Sequence, residues 1–492
     1  MSNDRRAAWK GLLARHKKKL IALAAALLLP AAAHVGITVG TRIEPPSIAP
    51  PGGEPVIAQA APEIRKLGRS YARRRGTILE VRLTGSPEEI GHAHGRLLYP
   101  EMVANEGVLY AQFERFVPFP PARWLIMDMS RLRYRRIDQG IAEPLRREIA
   151  AQARAFSPDP FDSVMPTYHR FIFLQSLYDI ALSFERSPLI GCTSFALTDG
   201  AFEGGHAVLA RSFDFEAGDI FDEGKAVFLI HEDGRIPYAS VAWPGLVGVV
   251  TGMNAEGLGL VVHGGRAREP RAEGEPVVHT MREVLGRAKV VDEALAILRD
   301  KEPMVSHLVM LVDATGSAAV AERAPGAPLF ARRGRGKVPL TNHFEGPLEA
   351  DPANKMVETV TSTRPRRMRL DELLRNLSPG ATVQEVVGVL RDRRGVGGVP
   401  LPLGNRRALD ALIATHGVVM DASARALWVS EGPHLLGRFV RFDLARLLDP
   451  AFSPGEAGDD AADPASIPAD PILRDGTFEA WKRAGAKHSG EQ

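Results

Sequence analysis

Apolar and polar residues alternate over residues 77–83, which is the pattern of a strand with one buried face. Beyond this stretch the apolar residues recur with helical spacing, most clearly over residues 141–156 and 164–184. Ser86 followed by Pro87 has the character of an N-cap and a first helical residue, so we expect a helix to begin there. Residues 61–191 are therefore predicted to be a mainly helical N-terminal part.

The pattern changes after Gly191, where short alternating segments come in pairs joined by glycine-containing turns. These pairs cover residues 192–197 with 206–215, 227–232 with 236–242, 307–312 with 318–322, and 416–420 with 426–430. Helical stretches lie between them at residues 277–299, 366–374 and 383–393. Tightly joined strands are antiparallel, whereas a doubly wound sheet alternates strand and helix one by one. The order therefore predicts an α+β fold in which two antiparallel sheets are covered by helices.

The first 40 residues have the pattern of an export or anchoring segment. Residues 1–19 form a basic leader, and the apolar run over residues 20–40 would span about 30 Å as a helix, which matches a bilayer core. The basic leader predicts a cytoplasmic N-terminus, a transmembrane anchor and a body on the periplasmic side. The alternative is a signal peptide that is cleaved near residues 31–33, which would release a secreted protein.

Two further segments are predicted to lack regular structure. Residues 41–60 are rich in proline and glycine, so we expect an extended linker between the anchor and the body. Residues 453–492 are rich in Asp, Ala, Pro and Gly, so we expect a flexible C-terminal tail.

Composition excludes several classes of protein. The chain is 45% hydrophobic and 25% charged, as in a globular protein. Its net charge of +3 comes from the leader, which holds seven lysines and arginines against one acid, so the rest is slightly acidic. We therefore expect no nucleic acid partner. His92 and His94 resemble a metal pair, but a third ligand is missing, so neither a metal nor another cofactor is predicted.

Cys192 is the only cysteine in 492 residues. It cannot form an internal disulfide or build a thiolate metal site by itself, so it is either buried filler or a nucleophile. The predicted hairpin that it opens is closed by Arg211 and Asp214, which brings thiol, guanidinium and carboxylate to one end of a sheet. A guanidinium stabilises a thiolate, and a carboxylate can hold an amine. An ordinary Arg/Asp pair on a strand end is the alternative.

Three other polar side chains are candidates for the same site. Asn342 follows a loop rich in glycine and arginine and offers an amide, although an asparagine in a turn often serves the turn. Arg364 offers a second guanidinium, or it is solvated surface at an arginine-rich helix start. His263 ends an apolar strand and is either a functional or a core histidine.

Taken in order along the chain, these motifs resemble the penicillin acyltransferase-like family of N-terminal nucleophile hydrolases. This family includes acyl-coenzyme A:6-aminopenicillanic acid acyltransferase and, more distantly, conjugated bile acid hydrolases and penicillin V acylase. The resemblance extends over about residues 78–444. It is carried by residues 85–91 with Gly95, Gly191-Cys192-Thr193, Ala210-Arg211-Ser212-Phe213-Asp214, residues 252–258, Thr341-Asn342-His343-Phe344, Ser362-Thr363-Arg364 and the hairpin 416–432.

The resemblance implies a four-layer αββα sandwich and a precursor that cuts itself between Gly191 and Cys192. The products would be an alpha chain from residues 61–191 and a catalytic beta chain from residues 192–452, which stay associated. Once freed, the α-amino group of Cys192 has a reference pKa of about 7.7–8.0 and can act as the base for its own thiol. Thiol and base then belong to one residue, so no distant histidine is required.

The resemblance also implies a role for each candidate. Asp214 would hold the amine, Arg211 would tune the thiolate, and Asn342 would donate to the oxyanion. Arg364 matches a further active-site arginine of the family. Two positions depart from the pattern, because Ser212 replaces the usual asparagine and His263 falls where bile acid hydrolases supply an oxyanion amide. Asn254 is expected to shape the turn before its strand, and contact with the substrate is the alternative.

These features predict a self-processing thiol amidohydrolase or acyltransferase that cleaves a small-molecule N-acyl amide through an acyl-cysteine intermediate. We expect hydrolysis, because coenzyme A thioesters are cytosolic, and a lipid-like acyl chain, because the body is expected near the membrane. The main alternative is a non-catalytic, membrane-tethered binding or scaffold protein that retains the fold. A papain-like protease with an essential His263 is a further alternative.

Overall fold

The computed structural model describes residues 28–49, 58–61, 64–183, 190–215, 220–455 and 465–489, together with residues 17, 19, 21 and 22. Most of the predicted basic leader and part of the predicted membrane segment, including residues 23–27, lie outside the described residues. Within the membrane segment, residues 28–40 form a helix, α1. In the described part of the chain, no helix is both long enough and apolar enough to cross a membrane.

The N-terminal half begins with four strands and continues with helices. Ser86 caps the first of these helices, because its hydroxyl accepts the Glu89 N–H (3.3 Å) while the Glu89 carboxylate accepts the Ser86 N–H (2.8 Å). The predicted helix start is therefore confirmed. The elements are β1 (Ala58–Ala61), β2 (Ile64–Leu67), β3 (Ser70–Arg75), β4 (Ile78–Gly85), α2 (Pro87–Leu97), α3 (Tyr99–Phe116), α4 (Pro120–Arg133), a 3₁₀ turn (Ile137–Gly140), α5 (Glu143–Ala155), α6 (Thr167–Gln175) and α7 (Leu177–Ser183).

The C-terminal half is built from hairpins with helices between them, as predicted. Its strands are β5 (Ile190–Leu197), β6 (Val208–Phe215), β7 (Ala226–Glu232), β8 (Tyr238–Ala242), β9 (Thr251–Asn254), β10 (Gly259–Gly264), β11 (His307–Val312), β12 (Ala318–Arg323), β13 (Phe330–Gly334), β14 (Lys337–Leu340), β15 (Ala414–Asp421), β16 (Ala426–Ser430) and β17 (Phe439–Asp443). Its helices are α8 (Ile220–Glu223), α9 (Val277–Arg287), α10 (Val291–Asp300), α11 (Pro352–Val360), α12 (Thr363–Asn376), α13 (Val383–Leu390), α14 (Leu444–Leu447), α15 (Pro471–Arg474) and α16 (Thr477–Ser489).

The described strands form two sheets, so the predicted α+β fold is confirmed. The larger sheet has the order β1-β2-β3-β4-β7-β8-β9-β10-β11-β12-β13, and the smaller has the order β14-β5-β6-β15-β16-β17. One pairing corrects the expectation of purely antiparallel sheets, because β4 runs parallel to β7. The chain leaves the larger sheet after β4, forms the helices and the β5–β6 hairpin, and then returns. A connection of that length can join parallel neighbours, which a tight turn cannot.

The two sheets face each other, and helices cover their outer faces. Buried residues of both sheets, such as Leu209 and Val261, share one apolar cluster between them. The outer face of the larger sheet packs against α2, α9 and α10, whereas that of the smaller sheet packs against α12 and α13. Along β5, successive side chains alternate between these surroundings, so Ser194 and Ala196 face the other sheet while Phe195 and Leu197 face the helices.

The segments predicted to be irregular contain more structure than expected. In the predicted linker, Thr41 and Ile43 are buried against the body, and β1 lies at its end. In the predicted C-terminal tail, α15 and α16 are helical and Phe478 is buried beside Trp481. Residues 50–57, 456–464 and 490–492 of these two segments lie outside the described residues. A few apolar side chains in otherwise polar stretches are therefore enough to fix them to the body.

Candidate active site

Cys192 lies near the start of β5, opposite Phe213 of β6, and its side chain is completely buried. Three of its atoms are held by three different side chains. The sulfur accepts a hydrogen bond from Arg211 Nη2 at 3.5 Å, and the backbone N–H donates to Asn342 Oδ1 at 2.7 Å. The backbone carbonyl accepts from Arg366 Nη1 at 2.5 Å. Only the Arg211 contact involves the sulfur, and a guanidinium beside the thiol is the feature that favours a reactive cysteine over filler.

Arg211 is fully buried between the two sheets and is fixed from several sides. Its guanidinium donates to the carbonyls of Val250 and Val262 and to the hydroxyl of Thr251. It also lies over the ring of Phe213, with 4.3 Å between the guanidinium carbon and the ring centroid. Among the described residues, no carboxylate forms an ion pair with Arg211. Its charge is therefore not neutralised locally and remains available to the sulfur.

Burial and charge act in opposite directions on the thiol. Removal from water raises the pKa of Cys192, while Arg211 and a hydrogen bond from the Asp214 backbone lower it. Burial is the larger effect, so the pKa of the thiol lies above its usual value. In the uncut chain the sulfur is therefore held protonated, and an additional positive charge or a base is needed to activate it.

Asp214 lies on the opposite face of the hairpin from Arg211, next to the bond predicted to be cut. It is opposite Gly191 in the strand pairing, and a Cβ placed on Gly191 would lie 3.9 Å from Asp214 Oδ2 and 3.6 Å from Arg366 Nη2. Ser212, the residue that departs from the family pattern, donates its hydroxyl hydrogen to Asp214 Oδ1 at 2.6 Å. Burial raises the pKa of Asp214 to about 6, against the opposing charge of Arg366.

Asn342 is brought to the site, but with a different orientation from the predicted one. Its side-chain oxygen accepts from the Cys192 N–H and from Arg366 Nη2 (3.0 Å), while its nitrogen donates to the Gly264 carbonyl (2.9 Å). Its own backbone N–H donates to the Thr363 hydroxyl at 2.9 Å. In the uncut chain the amide oxygen therefore holds the backbone nitrogen of Cys192, and one of the two N–H groups of the amide is bound to Gly264.

The structure does not place Arg364 at the site, and Arg366 occupies that place instead. Arg364 is exposed, with 47% of its side chain accessible, and pairs with Glu358 at 2.9 Å. Arg366 is buried and also donates to the Thr193 hydroxyl at 2.9 Å. Residues two apart on a helix point about 200° apart, so only one of these arginines can face β5. Sequence reasoning missed Arg366 because the motif Ser362-Thr363-Arg364 ends before it, and only the rotation of α12 decides which arginine of this segment faces β5.

His263 does not contact the sulfur. It is fully buried, and its Nε2 lies 2.6 Å from the hydroxyl of Ser194, so that the pair connects β10 with β5 across the two sheets. Burial and the charges of Arg211 and Arg366 hold the pKa of His263 well below its usual value. A neutral histidine bound to a neighbouring serine does not form the Cys–His pair that a papain-like protease requires.

Asn254 shapes the turn between β9 and β10 and does not line the site. Its oxygen accepts the backbone N–H groups of Glu256 (3.1 Å) and Leu258 (3.0 Å). Its nitrogen donates to the carbonyls of Leu285 (2.9 Å) and Ala288 (2.7 Å) at the end of α9. Both donors and both acceptor positions of the amide are used, so none is left for a substrate.

Two cavities lie beside the β5–β6 hairpin that carries Cys192, although Cys192 itself lines neither of them. An apolar cavity of about 120 Å³ lies beside Phe213 and Val250 and extends between α3, α6 and α7, where Leu109, Phe171 and Tyr178 line it. A more polar cavity of about 260 Å³ lies on the opposite face of the hairpin, and its lining includes Gly191, Asp214, Gly264, Asn342 and Arg366. Among the described residues there is no group of three or more His, Cys, Asp or Glu that could hold a metal ion.

Comparison with known families identifies one match. The family model for acyl-coenzyme A:6-aminopenicillanic acid acyl-transferase matches residues 202–397. This range contains Arg211, Asp214, Asn342 and Arg366, whereas Cys192 lies just before it. The resemblance to this family that the sequence motifs indicated is therefore confirmed over this range.

The individual proteins that align with this chain have low sequence identity to it. An uncharacterized protein of Archaeoglobus fulgidus is 25% identical over 248 residues, which are 48% of this chain and 41% of that protein. The solved structures that align include the Caenorhabditis elegans ortholog of N-acylethanolamine-hydrolyzing acid amidase, with 14% identity over 47% of this chain and 93% of the other and a TM-score of 0.35. Conjugated bile acid hydrolase of Clostridium perfringens has 13% identity, coverages of 52% and 94%, and a TM-score of 0.34. Penicillin V acylase of Agrobacterium tumefaciens has 19% identity, coverages of 49% and 83%, and a TM-score of 0.32.

Proposed function

We propose that this chain is a self-processing thiol enzyme that cleaves the amide bond of an N-acyl compound through an acyl-cysteine intermediate. The observation that carries the proposal is the way Cys192 is held. Its sulfur, nitrogen and carbonyl oxygen each have a separate side-chain partner, in Arg211, Asn342 and Arg366. These are the atoms that must be positioned if a residue is to attack a carbonyl, lose its peptide bond and then act through its own amine.

Self-processing begins with attack of the Cys192 sulfur on the carbonyl carbon of Gly191. A carbon–sulfur bond forms, the peptide carbon–nitrogen bond breaks, and the thiol proton passes to the departing nitrogen. Water then hydrolyses the thioester, which returns a proton to the sulfur and leaves Gly191 with a carboxyl group. Asn342 Oδ1 already accepts the N–H of Cys192 at 2.7 Å and would retain the new amine as it forms.

Catalysis then uses the new terminus. The freed amine, with a reference pKa of about 7.7–8.0, takes the thiol proton, and Arg211 stabilises the thiolate. Asn342 and the buried carboxylate of Asp214 favour the protonated amine that results. The thiolate attacks the acyl carbonyl, the leaving amine takes the proton, and water or a second amine releases the acyl group. This assigns Cys192 as nucleophile and base, and Arg211, Asp214, Asn342 and Arg366 as its partners.

The two cavities suggest how a substrate would lie. The apolar cavity beside Phe213 fits an aliphatic or aromatic acyl group, whereas the cavity beside Asp214 and Arg366 fits the polar amine portion. We further propose that the chain is tethered to the membrane by residues 20–40 with its body outside the cytoplasm. In that location a lipid-like acyl amide is the natural substrate class, and water is the available acceptor.

Chain integrity tests the proposal directly. Purified protein should give two fragments on a denaturing gel, and intact mass should show that the second begins at Cys192. Cys192→Ala should leave the chain uncut and inactive. Ser194→Ala, a change on the same face of β5 that removes the hydrogen bond to His263, should still be cut. A wild-type chain that stays whole under all conditions, or a Cys192→Ala chain that is cut, would contradict the proposal.

Activity requires a separate measurement. Fluorogenic N-acyl amides with acyl chains of increasing length should be hydrolysed by the processed protein, and the rate should rise with apolar length until the cavity is filled. Processed protein that hydrolyses none of them would favour a binding or scaffold function.

A further inference from the structure

Helix α4 has its polar and apolar faces reversed. Its buried side chains are the polar ones, Asp128 and Arg131, while Trp124, Leu125 and Met129 are each about 60% exposed. A helix on a water-soluble surface normally buries its apolar face and exposes its polar face. The exposed face of α4 is therefore better suited to an apolar environment than to water.

Helix α1 is attached to α4 by polar residues, although none of the residues 28–40 is fully buried. His34 Nδ1 lies 2.9 Å from Asp128, and Arg131 Nη1 donates to the Thr38 hydroxyl at 2.7 Å. The ring of His34 also stacks on Trp124, with 5.6 Å between the centroids. With these polar groups turned inward, the apolar residues of α1 point outward. We call the combined surface the outer patch; it consists of Leu28, Leu29, Val35, Val39, Phe116, Phe119, Trp124, Leu125, Met129 and Leu132.

The outer patch is held close to the body and close to the apolar cavity. Directly after α1, Thr41 and Ile43 are buried, so no free spacer separates the helix from the body. Leu109 of α3 lines the apolar cavity, and Phe116, at the end of the same helix, is 71% exposed in the outer patch. Seven residues correspond to about 10 Å along a helix and to nearly the same face, so one side of α3 connects cavity and patch.

We infer that the outer patch docks on a phospholipid bilayer, with α4 lying in the interface. This inference rests on the membrane tether proposed above, because α1 belongs to the apolar run that follows the basic leader. The charge around α4 fits anionic lipid headgroups, since Arg115, Arg133, Arg135 and Arg136 are exposed against the single exposed acid Glu114 over residues 111–136. Tryptophan at position 124 suits the same environment. The docked enzyme would take its acyl substrate from the bilayer along α3.

Site-directed spin labels test the docking independently of catalysis. Because Cys192 is the only cysteine, Cys192→Ala gives a cysteine-free chain that should stay uncut. Leu125→Cys or Met129→Cys is then introduced, or Arg375→Cys as a control at an exposed position of α12. In vesicles of phosphatidylcholine and phosphatidylglycerol, labels at 125 and 129 should be accessible to oxygen and shielded from a water-soluble nickel complex. The label at 375 should behave in the opposite way.

The outcomes separate docking from the tether and from the proposed activity. A chain that floats with the vesicles but whose label at 125 is as open to nickel as the label at 375 retains the tether and overturns the docking. Spin–spin coupling between labels at 125 would show that a second copy covers the outer patch, which also overturns it. A chain that does not bind vesicles overturns both docking and tether.

A kinetic measurement on the active chain provides the second test. Leu125→Gln with Met129→Gln should lower hydrolysis of a long-chain N-acyl amide embedded in vesicles by about tenfold, which corresponds to about 1.4 kcal/mol. Hydrolysis of a short, soluble N-acyl amide should be unchanged, because neither side chain touches the site. Equal rates of wild type and variant on the embedded substrate would contradict the inference.

Discussion

Two sites with buried arginines differ in whether the guanidinium groups form ion pairs with carboxylates. Arg282 of α9 is buried together with two carboxylates, since its guanidinium donates to Glu148 at 2.6 and 2.8 Å and to Glu232 at 2.9 Å. Arg211 and Arg366 beside Cys192 are equally buried, yet no carboxylate among the described residues forms an ion pair with either. Their hydrogen bonds go to carbonyls, hydroxyls, an amide and the thiol.

The difference indicates what each charge is for. A buried cation paired with carboxylates is neutralised, and its main effect is on the stability and specificity of the fold. A buried cation without such a partner has lost its hydration and still projects its charge, which is favourable only if an anion forms nearby. Beside Cys192 the Asp214 carboxyl already interacts with the charge of Arg366, and the proposed mechanism adds a thiolate and a tetrahedral oxyanion. The comparison predicts that substitutions at Arg282 change stability, whereas substitutions beside Cys192 change reactivity.

The largest effect on stability is expected for Arg282→Met. Removal of the guanidinium leaves Glu148 and Glu232 buried without their partner, which should lower the free energy of unfolding by about 3–5 kcal/mol. Chemical denaturation of Cys192→Ala chains, which stay uncut, measures the difference. Arg287→Met is the matched control, because this exposed arginine on the same helix pairs only with Glu283 and should change stability by less than about 1 kcal/mol. A stable Arg282→Met protein would remove the basis of the comparison.

A large effect on rate is expected for Arg366→Ala. This arginine donates to the Cys192 carbonyl and to Asn342, so its loss should lower kcat by about 10²–10³-fold, or about 3–4 kcal/mol of transition-state stabilisation. Arg364→Ala, two positions away on the exposed face of α12, should have nearly wild-type kinetics. Because Arg366 could also support self-processing, both variants are compared after intact mass has established which chains are cut. Equal losses in the two variants would contradict the site as described.

Elements whose polarity follows burial could be predicted from the sequence. The helix start at Ser86 and the four hairpins after Gly191 are of this kind, and so are Cys192, Arg211 and Asp214, because one hairpin brings them together. Other elements could not be predicted in this way, because ion pairs allow charged side chains to be buried. Strand β3 carries Arg73 and Arg75 and reads as surface, yet both arginines are buried because each donates to Glu80 of β4.

The sequence alone could not predict how a helix is rotated about its axis or which distant residues meet in the folded chain. The faces of α12 determine that Arg366 rather than Arg364 meets Cys192, and the orientation of the Asn342 amide depends on Gly264, 78 positions away. The parallel pairing of β4 with β7 likewise depends on where the chain returns after the helices. Such features are set by tertiary packing, which a pattern along the chain does not contain.

A smaller effect on stability, with a defined pH dependence, is expected for Asp214→Asn in the uncut Cys192→Ala chain. The pKa of Asp214 is raised from 3.8 to about 6 in the folded protein, so its protonated form is favoured there and stability is lost as the pH rises through this range. Asparagine cannot ionise, so above pH 6 the free energy of unfolding of the variant should exceed that of the Asp214 chain by about 3 kcal/mol. This difference should vanish below pH 4. Denaturation as a function of pH measures this difference. With Cys192 restored, Asp214→Asn should be inactive despite its higher stability, and a variant that is less stable at pH 7 would show that the carboxylate is paired there.

The smallest effect concerns the thiol itself and tests whether the free charge of Arg211 reaches the sulfur. Arg211→Met should raise the pKa of Cys192 further above its usual value, because the guanidinium that opposes the effect of burial is lost. Since Cys192 is the only cysteine, the pH dependence of its alkylation by iodoacetamide reports this pKa alone. Arg211→Lys keeps the positive charge but loses the paired hydrogen bonds of the guanidinium. The pKa of Cys192 in this variant should therefore lie closer to that in the wild type. If the methionine and lysine variants titrate alike, Arg211 acts by packing rather than by charge, and the contrast with Arg282 does not hold.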